Sequence, residues 1–251
     1  MEIIHLTSGD YPKYESLLLR RDQLKKDALH YRRSYIKEFG ELINKIFEKK
    51  IRCIELKKSI SFCMLSVNQG KKTDMTELKI YIELRMSEYH TQLNDMISEL
   101  NSTKHDGTIS AQDVKEIKSI YRKIARRLHP DLSSVTEERP ELYELWQQVS
   151  IAYKCNDLKA LSESDFLIER ALQQLGVDCQ TSVIPDIAEK IATLEADIQK
   201  IITTEPYTYK LILEDPYEIS EKKEMLKLEY QQYCDYEKNL KIKFDKIIGG
   251  K

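Results

Sequence analysis

From Pro12 to about Val67 no proline interrupts the chain, and apolar residues return through this stretch at a seven-residue interval. Ala28, Tyr35, Leu42, Leu56 and Cys63 share one heptad position, and Lys49 alone breaks the series. Phe39, Ile46, Cys53, Ile60 and Val67 follow four residues behind them. A repeat of this kind predicts one long helix with a coiled-coil seam, roughly 80 Å in length at 1.5 Å per residue. Ile36, Ile43, Phe47 and Ile54 widen the stripe, so more than one partner helix is expected. Asp10 stands as a candidate N-cap and Pro12 is tolerated in the first turn.

Further helices follow from the same periodicity. Asn68-Gln69-Gly70 is a turn, and Thr73 or Asp74 can cap a second helix carrying Leu78, Ile82, Tyr89, Leu93, Met96 and Leu100. So short a turn makes this helix an antiparallel neighbour of the first. Near the C-terminus Ile184, Ile187, Ile191, Leu194, Ile198 and Ile201 alternate steps of three and four after Pro185. A last helix holds Ile219, Leu226, Tyr233, Leu240 and Ile247 at strict sevens, with Tyr230 and Phe244 four residues behind. The segment 206–216, between two prolines, fits a short strand, a helical turn or an apolar clasp equally well.

Between these helices lies a cationic run, Ile117-Lys118-Ser119-Ile120-Tyr121-Arg122-Lys123-Ile124-Ala125-Arg126-Arg127-Leu128, followed by His129-Pro130-Asp131. Ile117, Ile120, Tyr121, Ile124 and Leu128 form one apolar stripe, and Lys118, Arg122 and Arg126 form a ladder on another face. Pro130 ends the helix and biases His129 away from the helical region, which predicts an exposed corner. The next helix carries Trp146, Val149, Ala152 and Tyr153. Asn156-Asp157 breaks it, and a helix over about Asp165–Leu175 closes at Gly176.

The cationic helix, the His-Pro-Asp corner and the helix after it resemble helices II and III of the J-domain (DnaJ) family. The flanking helices resemble those of bacterial J-domain proteins with long coiled-coil arms. The resemblance implies an antiparallel helical hairpin with the corner at its tip. It implies a partner, a DnaK-type chaperone ATPase, whose hydrolysis of ATP is stimulated. Lys118, Tyr121, Arg122 and Arg126 would then dock on the acidic ATPase surface, and His129, Pro130 and Asp131 would couple docking to hydrolysis. A cationic face would steer that association and make it salt-sensitive. The pattern departs from the family at Leu128, where an aromatic residue is usual, and lacks the usual helix I. The end of the second helix, Tyr89–Leu100, is the candidate substitute. These departures support a second reading, a structural coiled-coil adaptor with a J-like hairpin that lacks ATPase coupling.

The remaining chemistry is sparse. Five widely spaced cysteines without a CxxC give zinc no site, and the histidines other than His129 are isolated. Neither a phosphate loop nor a nucleophile with an evident base is present, so no enzyme, cofactor or metal is expected. A formal net charge of −2 with 33% charged residues argues against bulk nucleic-acid binding, and no apolar run approaches a membrane span. The N-terminus lacks the features of a signal peptide, so the expected location is cytoplasmic.

The expected architecture is therefore all-α, an elongated antiparallel coiled-coil helical bundle with an inserted J-domain-like helical hairpin. Its expected segments are a long helical hairpin over 1–104, the J-like module over 105–178 and a second hairpin over 179–251. Pairing of two copies through one seam, a homodimer, is the other arrangement the pattern allows.

Overall fold

The computed structural model of the chain describes residues 10–104, 109–176 and 186–249. Among the described residues every regular element is a helix. In chain order these are α1 (Asp10–Asn68), α2 (Met75–Lys104), α3 (Ala111–Leu128), α4 (Ser134–Glu138), α5 (Pro140–Lys154), α6 (Leu158–Leu175), α7 (Ile187–Thr203), α8 (Tyr209–Leu213) and α9 (Pro216–Ile248). No described helix is long and apolar enough to cross a membrane.

The described residues fall into two compact units. One takes α1 up to Tyr31 together with α3–α7; the other takes α1 from Arg32 together with α2, α8 and α9. This grouping does not follow the three consecutive segments 1–104, 105–178 and 179–251. The reason lies in the apolar stripes of the C-terminal helices. Ile191 and Leu194 of α7 pack on Tyr14 and Leu18 of α1 in the first unit. Leu226 and Leu240 of α9 pack on a later part of α1, in the second.

In the second unit α1 is flanked on two sides. Arg32 pairs with Glu99 at 2.7 Å, and Phe62 meets Tyr81 with ring centroids 5.3 Å apart, so α1 and α2 run in opposite directions. Gly40 permits their close approach, because a Cβ there would stand 3.1 Å from the side chain of Leu100. Against α9 the order is parallel. Phe39 and Ile46 cluster with Leu226, and Cys53 and Ile60 cluster with Leu240. Lys49, the interruption in the apolar series, donates to Glu237 of α9 at 2.7 Å, and Glu237 also binds Lys241 at 2.6 Å. That carboxylate is almost wholly buried, so the pair forms a polar layer in an apolar seam. The segment between the two prolines is resolved as the helical turn α8, with Tyr209 stacked on Tyr35 at 4.1 Å.

The first unit owes its core to three helices. Ile117, Tyr121, Ile124, Ala125 and Leu128 of α3 meet Leu142, Trp146, Val149, Ala152 and Tyr153 of α5 and Leu161, Ile168 and Leu172 of α6. Each large aliphatic side chain buried there stabilises the unit by roughly 1.5–3 kcal/mol. Local signals set the helix ends. The Ser110 side chain accepts from the Asp113 amide at 3.0 Å, and the Asp157 carboxylate caps α6 through the Ala160 amide at 2.9 Å. Asn156, with φ of 56°, turns the chain between α5 and α6. Gly176 takes a left-handed φ of 60° at the end of α6, where a side chain would be strained. The helix expected over Asp165–Leu175 begins earlier, at Leu158. The helix start expected at Pro185 lies outside the described residues, as do Cys179 and His105.

Candidate functional site

The His-Pro-Asp corner is built by the C-terminus of α3. The His129 amide closes the helix on the Ala125 carbonyl at 2.9 Å, after which His129 leaves the helical region with ψ of 124°. Its carbonyl then accepts from the amides of Leu132 and Ser133 at 2.8 and 2.9 Å, folding the corner back on itself. Within that turn the Asp131 amide donates to His129 Nδ1 at 3.1 Å. The imidazole lies edge-on to Trp146 of α5, with ring centroids 4.7 Å apart.

Behind the corner an aromatic layer joins α3 to α5. Tyr121 and Tyr153 stack at 3.8 Å with planes 9° apart, and Trp146 lies 5.8 Å from Tyr121. The apolar stripe expected on α3 is buried, with Ile120 at its margin. The cationic ladder occupies the opposite side, where Lys115, Lys118, Ser119, Arg122 and Arg126 line an open depression. Arg122 and Arg126 are exposed and Lys118 is half-buried.

The structure corrects the expectation of an exposed corner. His129 is only 5% exposed, whereas Asp131 reaches solvent and Pro130 is intermediate. What covers the histidine is the first part of α1. Asp22 Oδ2 stands 3.4 Å from His129 Nε2 and accepts from the Tyr121 hydroxyl at 2.7 Å. Arg21 reaches Asp131 at 3.5 Å, and Glu15 binds Arg126 at 2.6 Å. Tyr121 is accordingly 4% exposed, with its hydroxyl already engaged. The helix lying over α3 and α5 is α1; the end of α2, the expected substitute, belongs to the other unit.

Electrostatics follow from this cover. Burial alone would raise the Asp22 carboxyl, but hydrogen bonds from His129 and Tyr121 and the charges of His129 and Arg21 outweigh it and hold it at about 2. Tyr121 is pushed upward by burial and then by the Asp22 charge. Lys26 projects over the Tyr153 ring at 3.9 Å, and its ammonium has no hydrogen-bond partner. Burial, followed by the charge of Lys118, lowers it to about 8.

Sequence reasoning missed Glu15, Arg21, Asp22 and Lys26. Glu15, Asp22 and Lys26 sit at helical steps of one another, but charged residues at such spacing read equally well as a solvated face. Among the described residues no group of three or more His, Cys, Asp or Glu side chains is arranged to hold a metal ion. No protein-family model, curated protein or solved structure matches the chain.

Proposed function

We propose that the chain is a J-domain-like co-chaperone. Through Lys118, Tyr121, Arg122, Arg126 and the His129-Pro130-Asp131 corner it docks on a DnaK-type chaperone and stimulates ATP hydrolysis there. The helices of the second unit act as coiled-coil arms that hold a client or partner protein, and the site of action is the cytoplasm. The observation that carries this reading is the stacked pair of Tyr121 and Tyr153, which binds α3 to α5 and fixes the corner beside an exposed cationic helix face. The hydrolysed bond belongs to the partner, so the corner requires no catalytic group of its own.

The test is single-turnover ATP hydrolysis by the DnaK-type chaperone of the host, with the wild-type chain and with His129→Gln. Stimulation by the wild type that disappears in the variant is expected. Equal stimulation by both, with folding intact, refutes the reading. A second reading, the adaptor without ATPase coupling, is favoured by the burial of His129 against Asp22. It predicts no stimulation by either protein, together with a partner still retained after the α3–α5 hairpin is deleted.

A further inference from the structure

The residues that the co-chaperone reading offers to an acidic partner are met here by acidic residues of the chain itself. Glu15 occupies Arg126, while Asp22 occupies Tyr121 and His129. Arg21 completes the match from the other sign, since it faces Asp131. Glu15, Leu18, Asp22 and Lys26 follow at steps of three and four, so they share one face of α1. Leu18 and Tyr14 cluster with Leu132, the residue directly after the corner. Farther along, Gln23 accepts from the Tyr153 hydroxyl at 2.7 Å. Two carboxylates on one helix face therefore meet three of the residues that the co-chaperone reading offers to an acidic surface.

We propose that the first part of α1, Asp10–Tyr31, is an intramolecular competitor that occupies the docking face and is displaced when the acidic chaperone surface binds. The proposal rests on the co-chaperone reading. Two features mark the contact as a removable cover. First, the hairpin has its own core: α3, α5 and α6 supply its buried residues, and α1 adds only Leu19 at the margin. Second, the contacts of the cover with the docking residues Tyr121, Arg126, His129 and Asp131 are polar and lie beside an open groove, while its buried apolar residues Tyr14 and Leu18 pack on Leu132 and on α7. Arg126 is 62% exposed on its side of the pair with Glu15, and a second depression between α1 and α3 is lined by Glu15, Leu19, Gln23, Arg122 and Arg126. Closure also carries an internal cost. It buries the Lys26 ammonium without a hydrogen-bond partner and within reach of the Lys118 charge, and opening relieves this.

Occupancy by the cover lowers the apparent affinity of the partner by the fraction of molecules that are open. Weakening the cover must therefore strengthen docking, although neither altered residue belongs to the docking set. The test uses the full chain with Glu15→Gln and Asp22→Asn combined, which removes both negative charges and nearly preserves shape. Three readouts are taken: the concentration giving half-maximal ATPase stimulation, acrylamide quenching of Trp146, and far-ultraviolet dichroism as a folding control. Trp146 is the only tryptophan of the chain and packs on His129, so its accessibility reports opening.

The expected result is a half-maximal concentration about tenfold lower, with stronger quenching and loss of the gain when His129→Gln is added. Unchanged stimulation by a more quenchable variant, with His129 still required in both proteins, overturns the competitor and leaves the co-chaperone reading standing. Unchanged quenching with unchanged stimulation overturns it as well, because the two carboxylates then do not hold the cover. Absence of His129-dependent stimulation from both proteins refutes the co-chaperone reading and the competitor with it. Should the double variant fail to fold, Glu15→Gln alone serves, since its partner is largely exposed; a gain of about twofold is then expected, and no gain overturns the proposal.

Discussion

Replacing Asp22 with Asn should destabilise the first unit by a calculable amount, and only above mildly acidic pH. The carboxyl is held at about 2 in the folded chain, against 3.8 for the free group. At about 1.4 kcal/mol for each pH unit, that difference corresponds to about 2 kcal/mol of stability. The sign is that of a depressed carboxylate. The contribution is complete above about pH 5 and lost as the pH falls from 3.8 towards 2. Asn keeps an acceptor at the Oδ2 position, which serves both the Tyr121 hydroxyl and His129, but it carries no charge, and its amide takes the place of Oδ1 opposite the Arg21 guanidinium, donor to donor. Urea unfolding followed by Trp146 fluorescence reads the separation of α1, α3 and α5 at each pH. At pH 7 the variant should unfold at lower urea by about 2 kcal/mol of equivalent stability, and the two proteins should converge near pH 2. Other carboxylates titrate in both proteins and cancel in the comparison. A difference that stays constant from pH 7 to pH 2 would refute the assignment of the charge–hydrogen-bond network, since a packing defect has no such pH dependence.

Two further outcomes test the electrostatic architecture by equilibrium unfolding. Glu237→Ala should cost on the order of 2–4 kcal/mol, because it leaves Lys49 facing a buried seam without its counter-ion, whereas Lys49→Leu with Glu237→Leu should be neutral or stabilising. Lys26→Met should raise stability by on the order of 1–2 kcal/mol at pH 7 by removing a buried ammonium that lacks a hydrogen-bond partner. The folded-state value near 8 lies below the free value of 10.5. The unfolded chain therefore binds the proton first, and the wild type alone should gain stability as pH rises through that interval.

Much of the local structure was legible because it depends on spacing. The stripe from Ile117 to Leu128 predicted which face of α3 is buried, and Asp74, Asp157 and Gly176 stand at helix ends for reasons of backbone chemistry. Met86, one of the most deeply buried residues of α2, fits the three-and-four step between Ile82 and Tyr89 and was readable in principle. Tyr121 illustrates a conflict between two signals. Its place in the apolar stripe predicted burial and its place in the family motif predicted a docking surface; packing decided the outcome. Long-range pairing was not legible. The stripes of α7 and α9 announced that each helix packs on something, but the choice of different parts of α1 depends on complementarity that no periodicity encodes. The cover over His129 escaped for a similar reason, since Glu15 and Asp22 find their partners more than 90 residues away.

The buried pair of Lys49 and Glu237 also bears on which helices can associate with which. An apolar heptad seam tolerates sliding, because one aliphatic layer resembles the next. With Glu237 opposite Lys49, displacing α9 by seven residues would bring Tyr230 or Phe244 to the ammonium and strand both charges among apolar neighbours. Self-association is penalised by the same device. Two copies of α9 paired in register through this seam would set Glu237 against Glu237, and two copies of this part of α1 would set lysine against lysine. The single interruption in the repeat thus discriminates between partners, favouring the union of unlike helices in one alignment.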